Sequence, residues 1–138
     1  MKQLTGPEIY LKTLSLKRPN TLTESGKGTD LEIQMTIKPK LQQAKKTRLN
    51  IIVETSVVMH DKKADREWFS LDATYEVVWW RKEGFRGDLR EEVKSKQFLR
   101  SVLNQSKTAV WGVLRSHTMM FLGECGLKPI HIPPIGGE

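Results

Sequence analysis

The sequence predicts an α+β domain in which a four-stranded antiparallel sheet is followed by two helices packed on one face. Three observations carry this. Four stretches within the first 80 residues alternate apolar and polar side chains or are rich in β-branched residues, they follow one another through turn-like connectors, and the pattern changes after Gly84–Gly87 to straight-chain helix formers. The 138 residues suffice for one compact domain, residues 1–138. With 38% apolar and 28% charged residues and a mean hydropathy of −0.47, the chain is read as neither membrane-spanning nor disordered.

The first strand is read over residues 8–16, EIYLKTLSL, and Arg18-Pro19-Asn20 stops it because proline offers no ladder donor. A polar stretch with Gly26 and Gly28 leads to the second strand, DLEIQMTIK, in which Leu31, Ile33, Met35 and Ile37 share one face. Residues 39–46 read as a basic connector. The third strand, RLNIIVETSVVMH, is β-branched enough to favour strand over helix. After a charged turn over residues 61–67, WFSLDATYEVVWW places Phe69, Leu71, Ala73, Tyr75, Val77 and Trp79 opposite Ser70, Asp72, Thr74 and Glu76.

Asp88 with Glu91 three residues on resembles a capping box, so a helix is expected over about residues 89–105. Ser106 or Thr108 is read as the cap of a second helix, ended by Gly126 and Pro129. That helix contains Val110, Trp111, Val113, Leu114, Met119, Met120, Phe121 and Leu122, apolar residues on more than one stripe. One sheet covers one stripe, so self-association is expected.

Chemistry is sparse. His60, His117 and His131 lack ligand spacing, and neither HExxH nor CxxC occurs, so no metal site, cofactor or catalytic residue is expected. Gly26-Lys27-Gly28 lacks the rest of a phosphate loop. Cys125, the single cysteine, is read as a buried structural thiol, and with no apolar leader in MKQLTGPEIY the expected compartment is the reducing cytoplasm. Apolar and aromatic side chains remain: Trp68 and Trp80 on the otherwise polar face of the fourth strand, read as a binding surface or a subunit interface, and the soft cluster Met119, Met120 and Phe121, whose commoner use is core packing and whose other use is an adaptable binding surface. Charge is the other outlier, with 23 Lys and Arg against 16 Asp and Glu, a net +7. Residues 1–66 hold 13 basic and 7 acidic residues, so the excess sits in the first half. Such a field steers acidic partners or nucleic acid.

Two end segments resemble a known family. Glu8–Asn20, EIYLKTLSLKRPN, is similar to the opening strand of the SecB export chaperones, with its Ile-Tyr pair, lysine, apolar-Ser step and Pro-Asn turn. VWGVLR (residues 110–115) resembles the start of that family's long helix, and GLKPIHIPPI (residues 126–135) its closing segment. The resemblance implies a cytoplasmic dimer of dimers that holds non-native polypeptide without ATP. It places Tyr10, Leu14, Leu16 and Leu22 around a client groove, to which Trp68, Trp80, Met119 and Met120 are added as exposed apolar residues. It places Leu71, Ala73 and Tyr75 near subunit contacts, with Trp111 on the second helix stripe. The segment TLTESGKGT departs from the family's aromatic loop, and Lys12, Lys17 and Arg18 stand where acidic relatives dock the SecA motor, which argues against that docking. The chain given also ends at Gly136-Gly137-Glu138, where the family continues into a final helix.

By analogy, these departures favour the solitary chaperones of toxin–antitoxin–chaperone systems, whose client is an antitoxin with an exposed apolar segment. A general preprotein export chaperone is the first alternative. A basic RNA-binding module, with Trp68 and Trp80 stacking on bases, is the second. The basic surface generates a prediction for the chaperone reading: raising salt slows client association more than it speeds dissociation, as read by stopped-flow fluorescence. A response confined to the dissociation rate would contradict it.

Overall fold

The computed structural model describes residues 2–17, 31–61 and 66–124. Four strands come first: β1 (Leu4–Lys17), β2 (Leu31–Ala44), β3 (Arg48–Asp61) and β4 (Arg66–Arg81). They form one antiparallel sheet in the order β1-β4-β3-β2. A single turn of helix, α1 (Leu89–Glu92), and a 29-residue helix, α2 (Lys96–Glu124), follow. The four-stranded α+β fold expected from the sequence is therefore present.

Central strand β4 organises the core. Its alternate residues Phe69, Leu71, Ala73, Tyr75, Val77 and Trp79 are all buried, beside Leu49, Ile51, Val53, Val57 and Met59 of β3 in register with them. Helix α2 lies over this face and contributes Val102, Val110, Leu114 and Leu122. Polar groups drawn into the contact are paired, as burial demands. Trp79 Nε1 donates to Ser106 Oγ at 2.8 Å, and Ser106 Oγ donates in turn to the Val102 carbonyl at 2.8 Å. Thr55 Oγ1 donates to the Ala73 carbonyl across the sheet at 2.7 Å.

Three expectations about boundaries are corrected. First, β2 does not stop before Pro39 but runs on to Ala44, leaving Lys45–Thr47 as the hairpin turn. Because β2 is an edge strand, a residue without an N–H is tolerated where that group would have faced away from the ladder. Second, the helix break lies at residues 93–95, not near Ser106. Neither Ser106 nor Thr108 caps a helix; each donates to the carbonyl four residues back, Thr108 Oγ1 to Asn104 at 3.0 Å, which lets both sit inside a continuous helix. Ser95 is the cap, its Oγ accepting from the Phe98 N–H at 3.3 Å. Third, the second apolar stripe is smaller than expected. Val113 and Phe121 pack against the core and Trp111 is half-buried, which leaves only Met119 and Met120 of that set exposed.

At the start of α1, Asp88 accepts from the Arg90 N–H at 2.9 Å and from its guanidinium at 2.6 Å. These bonds to Arg90 hold the Asp88 carboxyl down to about 2, so the cap stays charged through ordinary acid conditions and fails only as pH falls toward that value. Gly6, at φ +115°, permits the irregular pairing of β1 between Thr5 and Glu8. Among the described residues no helix is long and apolar enough to cross a membrane.

The relay from Trp79 through Ser106 is expected to contribute measurably to stability. Ser106→Ala strands a buried indole N–H and should cost about 1–3 kcal/mol with an unchanged urea m value. Thr108→Ala, which removes an exposed back-bond, should stay within about 0.5 kcal/mol in the same urea titration.

Candidate client-binding surface

A helix with its side chains is about 10–12 Å across. The outer strands of a four-stranded sheet lie about 14 Å apart, axis to axis. One helix therefore leaves uncovered margins on the apolar face. One margin runs along β1. Ile9, Leu11, Leu14 and Leu16 pair with the buried Val77, Tyr75, Ala73 and Leu71 and so share their side of the sheet. Ile9 and Leu16 are half-buried, whereas Leu11 and Leu14 stand 44% and 40% exposed. The other margin lies between β2 and the first half of α2. There Pro39, Leu99 and Leu103, with Lys96, Arg100 and Asn104, line a groove of about 360 Å³. On the second half of α2, Met119 and Met120 are 37% and 51% exposed.

The open face of the sheet differs in kind. Its depression of about 370 Å³ is lined mainly by Thr13, Ser15, Thr36, Lys38, Glu54, Ser56, Asp72 and Thr74, a polar and mixed-charge surface. At one end of that face, Glu8 accepts hydrogen bonds from both the Tyr10 hydroxyl and Trp80 Nε1, the latter at 3.1 Å. The bond to Glu8 raises the Tyr10 pKa. Arg48 lies over the Trp80 ring, 5.7 Å from its centroid. These contacts tie β1, β4 and β3 together on a face that α2 never reaches.

The structure thus divides the residues grouped by sequence. Tyr10 does not lie with Leu14 and Leu16: an irregularity in β1 between Leu11 and Thr13 reverses the alternation, sending Tyr10 to the open face opposite Glu76. The same shift adds Leu11 to the apolar row, a residue that strict alternation places on the other side. Trp80 joins Tyr10 on the open face, away from Met119 and Met120 on α2. The backbone of Trp68 falls in β4 and its side chain lies outside those described, as does the whole of Leu22.

Leu71, Ala73 and Tyr75 were expected near subunit contacts. Their side chains are 0%, 2% and 0% exposed beneath the chain's own α2, so they present no side-chain surface to a second copy. Tyr75 OH and His117 Nδ1 are 2.8 Å apart, with the two rings stacked at a centroid distance of 5.9 Å. Burial pushes the Tyr75 hydroxyl up to about 12, so it remains protonated across the physiological range. Trp111, on the flank of α2, is half-buried. The groove beside Pro39 was missed because residues 39–46 read as a connector; the signal available was a proline inside an otherwise strand-like run, which marks an edge.

No family model and no curated protein matches this chain by sequence. Among solved structures, the chain is similar to the SecB-like chaperone Rv1957 of Mycobacterium tuberculosis, solved in complex with a ChAD peptide from the HigA1 antitoxin Rv1956. The TM-score is 0.68 at 10% sequence identity, with 94% of this chain and 88% of that chain covered. The four strands and the long helix of this protein have a SecB-like fold.

Proposed function

We propose that this protein is an ATP-independent chaperone that holds aggregation-prone polypeptide, with the apolar segment of an antitoxin as its dedicated client. The observation that carries the reading is the apolar surface left on both sides of α2, at Leu11 and Leu14 and at Pro39, Leu99 and Leu103. It occurs in a chain with the fold of a chaperone solved with an antitoxin peptide. Met119 and Met120 extend that surface, since methionine adapts to varied apolar partners. Under this reading Leu14, Leu16, Met119 and Met120 touch client, and Leu11 joins them. Tyr10 and Trp80 belong to a different face.

Energetics favour several sites over one. A client segment of about ten residues burying about 600 Å² of apolar area gains about 15 kcal/mol. Ordering its backbone costs about 1–2 kcal/mol per residue, and association entropy adds to that. Each surface alone binds weakly, and assembly raises affinity through effective concentration. The proposal therefore includes a homotetramer. Both sheet edges, β1 and β2, run 14 residues, and a long edge offers backbone groups to a second chain. Subunit contact is sought at these edges and at Trp111.

Light scattering after size exclusion tests the reading. The expected mass is near four subunits, rising when a denaturant-diluted, slowly folding client is added. Leu11→Ser with Leu14→Ser should weaken suppression of client aggregation by about tenfold while leaving the fold intact, because both side chains are exposed. A monomer that ignores the client, or one that instead binds RNA with a steep salt dependence, would overturn it.

A further inference from the structure

The groove between α2 and β2 has an apolar floor and a cationic rim. Pro39, Leu99 and Leu103 are half-buried, while Lys96 and Arg100 are exposed one helical turn apart on the same flank of α2. Two like charges at this spacing repel each other. None of the hydrogen bonds or ion pairs among the described residues engages either side chain. The carboxylates just upstream are committed elsewhere, Asp88 to Arg90 at 2.6 Å and Glu91 to Lys94 at 3.0 Å. Glu92 precedes Lys96 by four residues and forms no ion pair with it.

The imbalance extends along the helix. From Lys96 to Gly123, α2 carries Lys96, Arg100, Lys107 and Arg115 and not one Asp or Glu. Lys38 and Lys40, the neighbours of Pro39 in β2, project to the open face of the sheet, where Lys38 lies across from Glu54, so the cations of this groove are Lys96 and Arg100 alone. An apolar segment entering this groove is thus met by the charges of Lys96 and Arg100, which no ion pair among the described residues engages.

Resting on the chaperone reading, we infer that the groove lined by Pro39, Leu99 and Leu103 selects client segments in which an apolar core is flanked by Asp or Glu, with Lys96 and Arg100 receiving the flanking carboxylates. Charge complementarity chooses this occupant. A second copy of the chain, itself at +7, would bring Lys96 and Arg100 against a surface of like net charge. A nucleic acid would lay its phosphates over an apolar floor that offers them no donor. An acid-flanked apolar segment uses both parts of the site, and at about 360 Å³ the groove falls within the range of about 300–1,000 Å³ usual for binding clefts.

The test uses the full chain and three fluorescein-labelled peptides with one common apolar core, flanked on both sides by Asp, Ser or Lys, followed by fluorescence anisotropy at low salt. The Asp-flanked peptide should bind about tenfold more tightly than the Lys-flanked one. Lys96→Glu with Arg100→Glu should reverse that order, and Lys96→Gln with Arg100→Gln should abolish the preference. Binding of the Ser-flanked peptide should change less than about twofold in either variant. Circular dichroism melts that match the unsubstituted chain show that the groove survives.

Equal affinity for all three peptides overturns the inference, as does an Asp preference that persists in both double variants. RNA binding lost in those variants, or an oligomer mass that changes with them, assigns the groove to another occupant and overturns it as well. Suppression of client aggregation is scored in parallel. If it persists without a flank preference, the chaperone reading stands and this specificity fails; if it is absent with every client, the chaperone reading has failed.

Discussion

The mismatch in width between one helix and four strands governs the whole molecule. Strand β4 lies inside the sheet with an unbroken apolar row, and that row must be covered for the chain to fold. Helix α2 covers it, anchored by the indole of Trp79 on Ser106 and the phenol of Tyr75 on His117. The outer strands are covered only in part: Ile33, Met35, Ile37 and Leu41 of β2 are half-buried against the core, and Leu11 and Leu14 of β1 stay exposed. The partly open apolar margins along β1 and β2 follow from this geometry.

That arrangement separates the residues that stabilise the fold from those that leave apolar area open. The residues that hold the sheet and helix together are buried, large or hydrogen-bonded, and their side chains are withdrawn from any partner. The residues beside them on the same face, Leu11, Leu14, Pro39, Leu99 and Leu103, make smaller contributions to the core and keep area free. The holding role proposed above would use such a division, because a client surface must remain apolar and open without endangering the fold. The opposite face, with Glu8 bridging Tyr10 and Trp80, is polar enough to remain solvated.

In the proposed client role, charge adds a second level of selection. Apolar grooves discriminate poorly among apolar segments, since each added methylene changes binding only modestly. Cations on the rim, unpaired within the described chain, discriminate by what flanks the apolar core, and they act before contact by steering. The position of Lys96 and Arg100 beside Leu99 and Leu103 places both kinds of recognition in one groove.

Sequence by itself determined the fold class, the apolar faces of β2 and β4, and the change from strands to helix after Gly87, because alternation and helical spacing are local patterns repeated over many residues, whereas the two helices it expected on either side of Ser106 are one short turn and one long helix. It also singled out Leu14, Leu16, Met119 and Met120, whose exposure or partial exposure the structure shows. Tertiary structure decided the rest. The irregularity between Leu11 and Thr13 arises from pairing with β4 and reverses the face of Tyr10, which no count of alternating residues reveals. Pro39 ends a strand or lies within one according to whether a neighbour needs its missing N–H, and only the order β1-β4-β3-β2 makes β2 an edge. Ser106 reads as a cap in isolation; beneath the indole of Trp79 it is worth more as a relay inside an unbroken helix. Leu71, Ala73 and Tyr75 carry an apolar pattern that suits a core and an interface equally, and what separated the two was the presence of α2 above them.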